Sequence, residues 1–141
     1  MEYQVSGPAH AAPEEVWRLF VDVERWPQLT KSIREVRRVD TGPFQVGSEA
    51  IIRQPGSPRA RWRVTELEQG RSFMWETSYT GVTVIGIHRV DPTDQGSEIT
   101  LTLRLRGPMA GVVGALTGRR TQRNITMELA GFQRTAEPAR G

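Results

Sequence analysis

The chain contains two histidines, and one of them, His88, lies in the otherwise apolar stretch VTVIGIHRV at residues 82–90. An imidazole in such surroundings can hydrogen-bond a ligand or move a proton. Three interpretations of His88 stay open at this point. It is a space-filling core histidine bonded to backbone or to a tyrosine, a polar group on the wall of a ligand pocket, or an acid–base catalyst.

Turn chemistry and period-two alternation predict which side chains share the face of His88. Thr80-Gly81 between two apolar stretches predicts a two-residue hairpin, which pairs Phe73 with His88. Alternate apolar residues at 98–106 must face the core, and this direction turns His88 inward beside Leu101. The face is therefore predicted to bind a ligand through Trp62, Val64, Phe73, Trp75, Thr77, Tyr79, Val84, Gly86, His88, Leu101 and Leu103.

Glu66 is the predicted acidic partner of His88. Extending the register by one strand pairs Glu66 with Phe73, which places the carboxylate on the row of His88, about two strand spacings or ~10 Å away. Both groups would then have perturbed pKa values, as catalytic acids and bases do. The alternative is a bulge before the loop at 68–71 that turns Glu66 outward, where it pairs with an arginine.

Three glycines at Gly111, Gly114 and Gly118 share one face of the last predicted helix. Each costs ~1 kcal/mol relative to alanine, so their presence needs a reason. They allow the helix to touch the sheet closely, or they leave open volume opposite Trp75 and His88, where they would contact a ligand. This face continues into an apolar second half, and the opposite face is predicted to carry Arg119, Arg120, Arg123, Glu128 and Arg134. Because Met109, Val112, Val113 and Leu116 also fall on that opposite face, we expect a helix break near Gly118; without one they form an exposed apolar patch.

Residues that begin or interrupt helices and strands predict the elements that position these side chains. Pro13 and two glutamates begin a helix, and Pro27 interrupts or restarts it. The sequence predicts a first edge strand at 3–10, one helix or two within 13–30, strands at 33–40, 48–54, 61–67, 72–79, 82–90 and 98–106, and a helix at 109–134. This order predicts an α+β fold of six to seven antiparallel strands in a curved sheet around a long C-terminal helix.

Composition excludes several classes of protein. The 141 residues suit a single domain covering 1–141, and the absence of cysteine rules out disulfides. Neither a signal peptide nor an apolar run of ~20 residues is present, so a cytoplasmic protein outside the membrane is expected. The net charge of +3 is spread rather than clustered, which argues against nucleic-acid binding. His10 has no partner at metal-ligand spacing, so neither a metal nor a cofactor is expected.

The segments APEEVW, HRVDPTDQGSEITL and GPMAGVVGALTGRR, together with the element order, resemble the SRPBCC superfamily (START-like, helix-grip). The resemblance extends over nearly the whole chain and is strongest to its small proteins of the polyketide cyclase/dehydrase type, which implies a bacterial source. It implies a deep, mostly apolar cavity between sheet and helix. The superfamily includes lipid carriers and cyclases, so function does not follow from the fold.

Three hypotheses follow. In the first, the protein binds or carries a small hydrophobic molecule, aromatic or polyketide-like. In the second, it is a cyclase or aromatase in which His88, with Glu66 or Tyr79, moves protons. In the third, it is a protein-interaction module that uses the surface from Met109 to Leu116. The sequence leaves open whether the protein is an enzyme, and it is compatible with a homodimer.

Overall fold

The computed structural model describes residues 1–137. A strand and two short helices are followed by six strands and one long helix. The elements are β1 (Glu2–Ala9), α1 (Pro13–Val21), a 3-10 turn (Val23–Arg25), α2 (Trp26–Leu29), β2 (Glu35–Arg38), β3 (Glu49–Arg53), β4 (Ala60–Glu68), β5 (Ser72–Tyr79), β6 (Val82–Thr93), β7 (Gly96–Arg106) and α3 (Ala110–Ala136). The predicted α+β helix-grip fold is confirmed.

The seven strands form one antiparallel sheet in the order β1-β7-β6-β5-β4-β3-β2. Strands β2 to β7 are joined consecutively to their neighbours, and β1 pairs with the last strand, β7. β1 is therefore an edge strand, as its weak alternation predicted. The central strands β5, β6 and β7 carry the predicted inward face of the sheet, toward α3.

The hairpin between β5 and β6 sets the register of the central strands. Gly81 in its turn has a φ of +80°, a conformation that L side chains rarely adopt. The hairpin pairs Phe73 with His88 and Trp75 with Gly86. The next pair of strands places His88 beside Leu101. The two pairings predicted for His88 are confirmed, and the hairpin turn together with the period of two in β7 orients this side chain.

The two short helices close one end of the sheet, below the second half of α3. Pro13 occupies the first turn of α1, and the chain restarts at α2 with Pro27 in its first turn, so the interruption predicted at this proline is confirmed. The buried indole of Trp26 donates a hydrogen bond of 3.0 Å to the carbonyl of Leu19. This bond fixes α2 against α1 and aims the Trp26 ring into the core.

α3 is one continuous helix of 27 residues, so the predicted break near Gly118 is wrong. Glycine lowers helix propensity but leaves every backbone hydrogen bond available, which explains why the helix passes through Gly114 and Gly118 without interruption. Both lie against β1: the Met1 side chain packs on Gly114, and the Tyr3 hydroxyl donates a 3.1 Å hydrogen bond to the Gly114 carbonyl. Gly111 faces open space. None of the three lines the cavity described below, and Gly114 and Gly118 instead allow close contact between helix and sheet.

Candidate ligand-binding cavity

A cavity of about 330 Å³ lies between the inner face of the sheet and α3. This volume is at the lower end of the range for small-molecule sites, roughly 300–1,000 Å³. From the sheet and the elements at its ends, the cavity is lined by Trp26, Ile33, Ile52, Gln54, Ser57, Pro58, Trp62, Trp75, Tyr79, Val84, Gly86, Ile87, His88, Leu101, Thr102, Leu103 and Leu105. From α3, it is lined by Val113, Thr117, Arg120, Thr121, Asn124, Ile125 and Glu128.

His88 lies on the wall of this cavity and is 6% exposed. Its ring stacks on Phe73 with 4.7 Å between centroids and on Trp26 with 4.8 Å. Three further rings meet it edge to face, namely Phe20, Trp75 and Phe132. Five aromatic side chains from two helices, one strand and α3 therefore hold the imidazole in one orientation.

Neither ring nitrogen of His88 has a hydrogen-bond partner among residues 1–137. The interpretation of His88 as a core histidine bonded to backbone or to a tyrosine is therefore wrong. Burial lowers the pKa of His88 to about 3, because the surrounding rings cannot solvate an imidazolium. The ring is neutral at pH 7 and presents one donor and one acceptor. A buried polar group left without a partner costs about 1–3 kcal/mol.

Two indole rings form the aromatic part of the cavity wall. Trp62 and Trp75 lie 5.6 Å apart between ring centroids, tilted by 39°. A Cβ atom at Gly86 would lie 3.3 Å from the Trp75 ring, so the glycine gives the indole the room that its cross-strand position requires. The pair offers a broad apolar surface on which a flat ligand can stack.

Eight of the side chains predicted on the inward face lie at the cavity wall: Trp62, Trp75, Tyr79, Val84, Gly86, His88, Leu101 and Leu103. Val64, Phe73 and Thr77 share that face and are buried, but they pack in the core beside the cavity. The alternation therefore identifies the correct face. It does not show where along that face the packing stops and open volume begins.

Glu66 lies outside the cavity, contrary to the prediction. The register shifts between Val64 and Glu66, so that Glu66 pairs with Met74 while Leu67 takes the place opposite Phe73. The extra residue of the bulge reverses the direction of the side chains that follow it. Glu66 is exposed, and no ion pair within residues 1–137 includes it. The bulge alternative is therefore confirmed without its arginine partner.

The carboxyl group that does reach the cavity belongs to Glu128 on α3. Sequence reasoning placed Glu128 and Arg120 on the solvent face. That placement is wrong for Glu128, whereas Arg120 is exposed and also borders the cavity. At 100° per residue, the cavity-lining positions of α3 lie roughly a quarter of a turn from the glycine stripe that packs on β1. Burial raises the pKa of Glu128 to about 7, and no opposite charge offsets this effect.

The loop that joins β3 to β4 contributes Gln54, Ser57 and Pro58 to the cavity wall. Arg120 donates a hydrogen bond of 3.4 Å to the carbonyl of Gly56 in that loop. Tyr79 lines the cavity near the end of β5 and is 42% exposed, and burial of the remainder raises the pKa of its phenol. A cation and a neutral hydroxyl group, both exposed, therefore line the cavity.

The first turns of α3 carry an exposed apolar patch made of Met109, Val112 and Leu116. Leu116 is 81% exposed. Val113, on the adjoining face, is half-buried and lines the cavity. Because the helix does not break, these side chains stay outward, which is the alternative that the sequence left open.

Two features are absent from residues 1–137. No helix there is long and apolar enough to cross a bilayer. No group of three or more histidine, cysteine, aspartate or glutamate side chains in this part of the chain could hold a metal ion.

Residues 2–137 match the family described as polyketide cyclase / dehydrase and lipid transport. The chain belongs to this family. The match covers nearly the whole sequence and agrees with the superfamily resemblance of the sequence segments. No curated protein matches the sequence.

Solved structures of the same fold include proteins from several sources. Hypothetical protein jhp0584 from Helicobacter pylori has a TM-score of 0.80 at 13% identity, covering 96% of this chain and 86% of its own. Protein TTHA0849 from Thermus thermophilus has a TM-score of 0.74 at 20% identity, covering 96% and 97%. The di-domain ARO/CYC protein BexL from the BE-7585A biosynthetic pathway has a TM-score of 0.74 at 22% identity, covering 95% of this chain and 45% of BexL. At these identities the likeness shows the fold alone.

Proposed function

We propose that this polyketide cyclase/dehydrase-type protein binds a small, largely apolar, aromatic molecule in the cavity between the sheet and α3. The observation that carries the proposal is His88: an oriented, neutral imidazole on the cavity wall whose two nitrogens have no protein partner within residues 1–137. Trp62 and Trp75 beside it supply a stacking surface. A flat ligand with one polar group matches both features.

A pair of adjacent substitutions on α3 tests this proposal. Thr121 lines the cavity, whereas its neighbour Gln122 is exposed. Thr121→Trp fills the cavity and should weaken binding of a neutral, environment-sensitive naphthyl ketone dye at least tenfold, while Gln122→Trp should bind it as the wild type does. Dye fluorescence titrations report both affinities. Equal affinity of both variants and the wild type would place the dye elsewhere and overturn the proposal.

A second candidate function is cyclisation of a polyketide-like chain, with His88 and Tyr79 as the groups that move protons. It is supported by the family to which the chain belongs, by the ARO/CYC name of BexL, and by the presence of an imidazole and a phenol on one cavity wall. A pKa of about 3 makes His88 a weak base, however, which favours binding over proton abstraction.

The cyclisation hypothesis has its own test. A poly-β-ketone mimic incubated with the protein should give an aromatic product, and His88→Ala should lower the rate at saturating mimic roughly 10²–10⁴-fold. Equal rates with His88→Ala would remove His88 from the chemistry. If the mimic stays unchanged, the cyclisation hypothesis fails and only the carrier function remains. The interaction module at Met109, Val112 and Leu116 and the homodimer stay predictions.

A further inference from the structure

The two walls of the cavity differ in chemistry. The sheet contributes mainly apolar and aromatic side chains. The helix contributes a polar row, because Arg120, Asn124 and Glu128 follow one another at intervals of four residues and therefore lie on one face of α3. A ligand stacked on the sheet thus has hydrogen-bonding groups along its opposite side.

Glu128 is the member of this row nearest to His88. It lies four residues before Phe132, on the same side of the helix, and the Phe132 ring is 5.9 Å from the His88 ring between centroids. Glu128 and His88 both border the cavity. Glu128 therefore lies one helical turn from a residue whose ring contacts the imidazole, and a ligand in the cavity can approach both groups.

Within residues 1–137, three other titratable or charged groups line the same cavity. They are Tyr79 from β5, His88 from β6 and Arg120 from α3. His88 is neutral, and Arg120 lies ~12 Å from Glu128 along the helix axis, with its guanidinium directed to Gly56. No ion pair within residues 1–137 includes Glu128. Near pH 7 its pKa of about 7 leaves a large share of the side chain as the neutral acid, which can donate a hydrogen bond.

We propose that Glu128 determines the specificity of the cavity: as a neutral acid it donates a hydrogen bond to a carbonyl oxygen of an uncharged aromatic ligand, while His88 bonds a second polar group of that ligand. The inference rests on the proposed function. A carboxylate ligand is disfavoured, because its charge would face a second carboxyl group in a medium of low dielectric constant. The ligand class is therefore a neutral aromatic ketone rather than an aromatic acid.

The pH dependence of dye binding tests this inference. If only the protonated form of Glu128 binds the neutral naphthyl ketone dye, the apparent Kd should be about tenfold higher at pH 8 than at pH 6. Glu128→Gln keeps an N–H donor at the same place, so its affinity should not change over this range. Glu66→Gln, the matched control on the outer face, should follow the wild type. Naphthylacetate, the anionic counterpart, should bind Glu128→Gln at pH 8 about tenfold more tightly than it binds the wild type.

The outcomes separate the two proposals. Dye binding that is independent of pH in the wild type, or that strengthens as pH rises, would overturn the role of Glu128 and leave the cavity as the binding site. Failure of the Thr121→Trp comparison would overturn the cavity itself. If Glu128→Gln folds poorly, proton uptake by the wild type provides the test instead. Calorimetry of dye binding at pH 8, in two buffers of different ionisation enthalpy, should show uptake of close to one proton. Zero uptake would refute the inference.

Discussion

Replacing His88 with phenylalanine should stabilise the protein, and the gain should grow as the pH falls. The imidazole is buried among aromatic rings with both nitrogens unpartnered within residues 1–137, and the adjoining cavity gives a larger ring room. The substitution also removes the contribution that the His88 imidazole makes to the pH dependence of stability, because phenylalanine does not titrate. The folded pKa of about 3 lies below the unfolded value of 6.5, so wild-type stability is lost as pH falls below 6.5.

The size of the effect follows from these two values. At pH 5 the His88 side chain is protonated in the unfolded state but stays neutral in the folded state. The free energy of unfolding of the wild type is therefore roughly 2 kcal/mol lower at pH 5 than at pH 7. The stability difference between His88→Phe and the wild type should therefore increase by about 2 kcal/mol between pH 7 and pH 5. Urea denaturation followed by circular dichroism measures it at each pH.

The comparison of variants is necessary because Glu128 acts in the opposite direction over the same range. Its folded pKa of about 7 lies above the unfolded value of 4.5, so its contribution to stability is lost as pH rises from 4.5 toward 7. The wild-type profile alone therefore mixes two effects of similar size. His10→Gln, at an exposed histidine, is the control variant. A stability difference between His88→Phe and the wild type that does not change with pH would refute the burial of a neutral, unpartnered imidazole.

The remaining predictions concern α3 and can be checked by thermal or urea denaturation. Gly131→Ala should destabilise the protein by about 2 kcal/mol or more, because its Cβ would collide with the backbone carbonyl of Leu29. Gly111→Ala meets open space and should stabilise the helix by up to ~1 kcal/mol; equal effects of the two substitutions would contradict the described packing of α3. Leu116→Glu, on the exposed patch, should change stability by less than about 0.5 kcal/mol, and a large loss would show that the side chain is covered.

The sheet could be predicted from sequence because its signals are local. A two-residue turn at Thr80-Gly81 and the period of two in β7 fix the register of β5, β6 and β7, and so the direction of His88. The bulge before Glu66 has no comparable signal. A shift of one residue at the end of a strand changes the face of every side chain beyond it, and the alternating pattern is too short there to reveal the shift.

The helix was harder to interpret for a different reason. A face that borders a ligand cavity carries polar side chains, and hydropathy alone cannot distinguish such a face from one in contact with water. The pattern therefore predicts Glu128 on the solvent face, although its side chain lines the cavity. The prediction that the glycine face contacts a ligand is wrong for the opposite reason. The small surface at Gly114 and Gly118 accommodates the side chains of Met1 and Tyr3.

Nuclear magnetic resonance of the histidine side chains tests most directly whether a ligand contacts His88. The chain has only two histidines, so ring-nitrogen signals from ¹⁵N-labelled histidine belong to His88 or to the exposed His10, which serves as an internal reference. Saturation with the naphthyl ketone dye should shift the His88 signals, as expected for a new hydrogen bond, and leave those of His10 unchanged. Signals of His88 that stay in place when the dye is fully bound would contradict the account.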